Sequence, residues 1–128
     1  MSRETPLKRI CASAELVDGG SGVRFELDPK AYFTPVGFVV RHCGAVRAFV
    51  NRCPHAGTEL DWNPGEFFDE TGLYLICSTH GALFEPGTGL CVAGPCRGAA
   101  LEPLPIREGN GEVVLAGSSR RIDPDSKR

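Results

Sequence analysis

Turn signals interrupt this chain before any helix could run its length. Sixteen glycines and ten prolines are spread through 128 residues, and no long segment repeats its apolar residues at a helical period. The apolar residues come in short runs instead, and short runs between glycine and proline marks read as strands. RICASAEL (9–16) is a first strand or turn, DGGSG (18–22) a turn, and VRFEL (23–27) a strand. Within 31–52, FVVRH and VRAFV form a hairpin about a tight turn at Cys43-Gly44. LYLIC (73–77) is a short buried strand; ALFEP, the turn GTG (87–89), LCVAG and the loop GPCRG (94–98) follow. LEPLPIREGNGEVVLA (101–116) makes two strands joined at Gly109-Asn110-Gly111. The ends, 1–6 and 117–128, read as loose polar tails. The expected fold is one small all-β domain of antiparallel sheets, its core over residues 8–116.

Charge and hydropathy narrow the setting. Fourteen basic residues against sixteen acidic ones leave a net charge of -2, which argues against general binding to nucleic acid or membrane surfaces. No apolar run approaches the ~20 residues of a membrane span. MSRETPLKRICASAEL has no signal-peptide apolar core, so a cytoplasmic protein is expected. In that setting some of the six cysteines are better read as metal ligands than as a disulfide framework.

Two stretches carry the chemistry. Cys53-Pro54-His55 places a cysteine and a histidine either side of a proline, and Cys77-Ser78-Thr79-His80 pairs them again with two residues between. Twenty-one residues separate His55 from Cys77, and each pair lies on a turn-rich loop after an expected strand. One such pair alone reads as ordinary core residues; two on comparable loops do not. Zinc could take two cysteines and two histidines, but a zinc finger supplies its cysteines from one pair and its histidines from another. One of each per loop suits a two-iron cluster, with both thiolates on one iron and both imidazoles on the other.

The C-P-H-x-G of 53–57 and the C-x-x-H-G of 77–81 resemble the paired motif of the Rieske [2Fe–2S] family, a likeness that covers residues 8–116. The resemblance implies a β sandwich with a small cluster-binding subdomain at one end, and one [2Fe–2S] cluster per chain. It implies that Cys53 and Cys77 bind one iron and His55 and His80 the other. The interval between the motifs is longer than in many ferredoxin members, so an enlarged loop is expected at 59–72. Such a cluster is neutral when oxidised, and two imidazoles in place of thiolates ease reduction, giving potentials of about -150 to +300 mV. Reduction can couple to proton uptake through the histidines. High-potential relatives join the two loops by a disulfide and add a serine and a tyrosine that donate hydrogen bonds. Thr58, Thr79, Ala82 and Phe84 stand at those four positions here, so a low potential is expected, near about -150 mV.

The remaining residues divide between packing and docking. From Ala56 to Thr79 there is no lysine or arginine, but there are Glu59, Asp61, Glu66, Asp69 and Glu70. These form either a solvated loop or an acidic face for a basic redox partner. Trp62, Phe67 and Phe68 are expected to pack that loop down over the cluster. Pro54 stiffens the first motif, Gly57 and Gly81 permit tight turns, and Pro86, Gly87 and Gly89 are expected to form a third covering loop. Cys91 and Cys96 read as buried structural thiols, Cys11 and Cys43 as packing residues, and His42 as an ordinary side chain. The leading expectation is a soluble Rieske-type ferredoxin, with no room for an oxygenase's mononuclear iron domain and no N-terminal anchor. It would pass single electrons from a reductase to a terminal oxygenase or other oxidoreductase. The alternatives are a small subunit of a larger oxidoreductase, similar to nitrite reductase small subunits, and a zinc-binding module.

Overall fold

The computed structural model describes residues 8–27, 36–54 and 57–116. The expected tails at 1–6 and 117–128 lie outside the described residues, as do His55 and Ala56. Among the described residues nine strands run in order: β1 Lys8–Ala12, β2 Val23–Glu26, β3 Val36–His42, β4 Ala45–Val50, β5 Leu75–Ile76, β6 Leu83–Phe84, β7 Cys91–Ala93, β8 Ile106–Gly109 and β9 Glu112–Leu115. They pair into three antiparallel sheets of three strands, in the orders β1-β9-β8, β2-β3-β4 and β5-β6-β7. A single 3-10 turn, Ser13–Glu15, follows β1, so the described residues are nearly all sheet and loop, as the punctuation requires.

The β2-β3-β4 sheet is the middle layer. Phe38, Val39 and Val40 are all fully buried, because alternate side chains of β3 enter two different cores. Phe38 and Val40 join Phe49 of β4 in one core, with Cys53, Leu60, Phe67, Leu75, Cys77, Phe84, Cys91 and Cys96. Val39 and Ala48 face the other, with Cys11, Leu16, Leu104, Val113 and Leu115. An unbroken apolar run is what a strand covered on both faces needs.

Two expected turns close the hairpins. Cys43-Gly44 joins β3 to β4 with His42 opposite Ala45, and Asn110-Gly111 joins β8 to β9 with Gly109 opposite Glu112. Cys43 sits exposed at its turn instead of packing, since both turn residues face outward. The segment LYLIC is shorter as a strand than its composition suggests. Leu75 and Cys77 are buried, but Leu73 is 59% exposed, because pairing with β6 begins at Leu75.

Candidate metal centre

The two cysteine motifs fold into matching turns. The Cys53 amide N–H donates to the Thr58 carbonyl at 2.7 Å, and the Gly57 N–H donates back to the Cys53 carbonyl at 2.7 Å. In the second loop the Cys77 N–H donates to the Ala82 carbonyl at 2.9 Å, and the Gly81 N–H to the Cys77 carbonyl at 2.8 Å. Cysteine, glycine and return carbonyl therefore hold the same relative positions in both, although the histidine is third in one motif and fourth in the other. Gly57 and Gly81 share a φ of +74°, a left-handed conformation that costs other residues about 1–2 kcal/mol.

Cys53 and Cys77 are both buried free thiols in the same core. His80, three residues on from Cys77, is exposed. The turns are tied across by a hydrogen bond between the Thr58 and Thr79 hydroxyls, 3.1 Å apart, and by the Ser78 N–H donating to the Leu60 carbonyl at 3.0 Å. The geometry thus presents two sulfurs toward the interior and a histidine toward solvent, a donor set suited to soft iron or zinc chemistry. Among the described residues, no three His, Cys, Asp or Glu side chains gather as a site for one metal ion.

The long loop between the motifs is fastened by two residues that sequence reasoning passed over, Asn51 and Arg24, acting on members of the acidic stretch. Asp61, its side chain fully buried, accepts from the Asn51 side-chain amide at 2.9 Å and the Gly65 N–H at 2.9 Å. Asn51 in turn accepts from the Leu60 N–H at 2.8 Å. Arg24, arriving from β2, donates to Asp61 at 3.4 Å and to Glu59 at 2.9 Å. The expected acidic face is therefore partly neutralised, because Glu59 and Asp61 meet a cation far away in sequence. Asp69 is engaged too. The Thr71 hydroxyl, then the Tyr74, Thr71 and Gly72 N–H groups, hold its carboxyl below the usual range.

Of the three aromatic residues expected to pin the loop, Phe67 does so fully, its ring stacked on Phe38 with centroids 3.9 Å apart. Burial of a phenylalanine stabilises by about 1.5–3 kcal/mol. Phe68 is partly buried against the same core and bridges Leu75. Trp62 corrects the expectation: it is 83% exposed and its backbone N–H reaches the Ser78 hydroxyl at 3.4 Å, so it stands out from the loop tip. His42 is half-buried beside Phe68, an ordinary strand-end side chain.

The third covering loop is also not the one expected. Pro86–Gly89 packs on β4 and Leu101, where a Cβ on Gly89 would lie 2.8 Å from the Phe49 ring. The turn that reaches the cysteine loops is Gly94–Gly98. A Cβ on Gly94 would sit 2.8 Å from the Ala82 Cα, a closeness only glycine permits. This turn places Cys96 in the core that also holds Cys53, its S–H directed at the Cys91 sulfur 2.9 Å away. Burial, then the Cys91 and Cys53 sulfurs, pushes the Cys96 thiol up to about 12.

Comparison with known proteins follows this geometry. A family model described as "Rieske [2Fe-2S] domain" matches residues 7–108. Over 77 residues, 55% of the chain, the sequence is 37% identical to "Oxidoreductase NdmD" of Pseudomonas putida, and the match spans 12% of that protein. The ferredoxin of Sphingomonas yanoikuyae B1 superposes with a TM-score of 0.67 at 25% identity, covering 87% of this chain and 98% of that one. The ferredoxin of carbazole 1,9a-dioxygenase from Nocardioides aromaticivorans IC177 gives 0.66 at 24% identity, over 90% of this chain and 100% of that one. With four fifths of its length inside the family match, the chain belongs to the Rieske [2Fe–2S] domain family and binds one [2Fe–2S] cluster as an electron-transfer protein.

Proposed function

We propose that the chain is a Rieske-type ferredoxin, a single domain with a polar tail at 117–128, that carries electrons one at a time in the cytoplasm. In this reading Cys53 and Cys77 hold one iron and His55 and His80 the other. The matching turns carry it. Two buried thiols occupy equivalent places in twin backbone loops, and exposed His80 puts one ligand of the second iron on the solvent side. Two protein ligands per iron also need no three side chains around one ion. When bound, the cluster takes up and releases single electrons without bond rearrangement in the protein. The chain's own part is to hold the loops rigid, keep water from the sulfurs and leave one edge open. Phe67, Leu60 and Phe84 shield the sulfur side, while the Thr58–Thr79 hydrogen bond and the Asp61 network hold the two turns in register.

The partners would be a reductase and an oxygenase-type enzyme, since one similar structure is the ferredoxin of a dioxygenase. Trp62, exposed beside the turns, offers an apolar contact for either. The potential would be low, near about -150 mV, because Ala82 and Phe84 carry no hydroxyl and the loops lack a disulfide bridge. Iron and acid-labile sulfide in equal amounts, with an EPR signal on reduction that His80→Ala abolishes, is the expected result. Unchanged spectra in that variant would remove the ligand assignment, and a clearly positive midpoint would remove the low-potential reading. A second reading, a small subunit of a larger oxidoreductase, is favoured by the NdmD match, in which the matched region is a fraction of a long chain. Purification as a stable complex would select it over a free carrier.

A further inference from the structure

The electron-carrier reading makes no use of Cys91 and Cys96, and the fold sets them side by side. Cys91 opens β7, where it pairs with Phe84, and Cys96 lies on the turn that follows. The backbone closes that turn on itself. The Cys91 N–H donates to the Ala99 carbonyl at 2.8 Å, the Ala99 N–H to the Cys96 carbonyl at 2.8 Å and the Arg97 N–H to the Gly94 carbonyl at 3.2 Å. Gly94 and Gly98, with φ of +102° and +94°, supply its left-handed corners. The Cys96 S–H is directed at the Cys91 sulfur 2.9 Å away, and the Cys91 S–H at the Ala93 carbonyl 3.3 Å away. One hydrogen is all that stands between the two sulfurs. A disulfide bond, at about 2.0 Å, needs them to approach by only about 1 Å more.

We infer that Cys91 and Cys96 form a reversible disulfide that locks the Gly94–Gly98 turn against the second cysteine loop. The co-substrate is a small-molecule disulfide of the glutathione class. One protein thiolate attacks it, releasing one small thiol and leaving a mixed disulfide; the other protein sulfur then displaces the second small thiol. Two S–H bonds are lost and one S–S bond forms in the protein, and the two electrons and two protons end on the two small thiols. Both sulfurs are buried at rest, yet Gly94, Pro95, Arg97 and Gly98 around Cys96 are exposed. A surface turn of this kind opens locally without unfolding the sheets, and that opening admits the oxidant. The same turn presses Gly94 on Ala82, whose carbonyl accepts from the Cys77 N–H. A bond across the neck of the turn therefore stiffens the wall over Cys77. In a reducing compartment the pair stays as thiols, and a rise in small-molecule disulfide closes it. The bond itself is independent of the electron-carrier reading; its bearing on a cluster at Cys77 rests on that reading.

The test treats the intact, cluster-loaded chain with oxidised glutathione under argon, quenches it in acid and maps the alkylated cysteines by mass. Cys91 and Cys96 should lose alkylation together, joined to each other in a segment lighter by two hydrogens and free of glutathione, and dithiothreitol should restore both. Cys43, exposed at its hairpin tip, is read separately. Either residue still alkylated, glutathione retained on either, or either joined to Cys53 or Cys77 overturns the inference. Hydrogen exchange at the Arg97 and Ala99 amides reads the lock. It should slow several-fold on oxidation of the wild type and stay unchanged in Cys91→Ala under the same treatment. Equal exchange in oxidised and reduced wild type overturns the lock. Should Cys91→Ala not fold, the wild-type map and the wild-type exchange decide alone. A wild type without iron and sulfide brings down the cluster reading and leaves the thiol map to judge this inference. A loaded wild type whose two thiols persist brings down only the inference.

Discussion

The two cores lie on opposite faces of one sheet and are held together by different means. The core of Val39, Ala48, Val113 and Leu115 sits between sheets whose backbone ladders satisfy their own hydrogen bonds over strands of four to seven residues. The core of Phe38, Phe67, Cys53, Cys77 and Cys96 is walled largely by loops, and β5 and β6 are only two residues long. Its order comes from side chains that bond to backbone, such as Asn51 to Leu60 and Asp61 to Gly65. A regular sheet stands without a ligand. A loop-built wall that surrounds free thiols gains its remaining rigidity from what those thiols bind.

The sharpest way to break this contrast is to empty the loop-walled core. Cys77→Ala should lose essentially all iron and sulfide, while amides of β3, β4 and β9 keep slow hydrogen exchange; exchange collapsing in those strands as well would make the two cores one cooperative unit. Next, Leu115→Ala should cost about 2–5 kcal/mol in denaturant unfolding with an unaltered cluster spectrum, since its cavity opens in the other core. Asp61→Ala, which strands the Asn51 amide and the Gly65 N–H, should cost about 1–3 kcal/mol and speed cluster loss. Thr58→Val removes one bond between the turns and should cost about 0.5–1.5 kcal/mol, read as faster iron release to a chelator. The smallest effect is on acid stability. The Arg41 guanidinium, donating to both carboxylate oxygens, holds the Glu108 carboxyl below its usual value. That contribution is present above the unfolded pKa of about 4.3 and is lost as pH falls through the lower folded value. Glu108→Gln should therefore flatten the acid limb of an unfolding profile, and an unchanged limb would show the pair to be inert.

Local pattern made the strands legible. The β3 run and the Cys43-Gly44 and Asn110-Gly111 turns state their roles within a few residues, and the repeated cysteine–histidine motif pointed to the family that matches the chain. What stayed hidden was contact between distant segments. Arg24 meets Glu59 and Asp61 from another strand, so a stretch that looks uniformly acidic carries a cation in space. Cys96 enters the core of Cys53 and Cys77 through a turn whose glycine reads like any other loop glycine, and Pro86-Gly87 looked the better covering loop only because proline and glycine mark both. Trp62 was misjudged for a related reason. Its neighbours Leu60 and Phe67 already fill the space beneath the loop, and the indole is left outside.

That outward indole is the chain's one tryptophan. It gives the protein a native fluorescent reporter a short distance from the twin turns. Emission from an exposed indole moves to the blue when a surface covers it, so docking at this edge can be followed without labelling. A partner that binds elsewhere leaves the colour of that emission where it was.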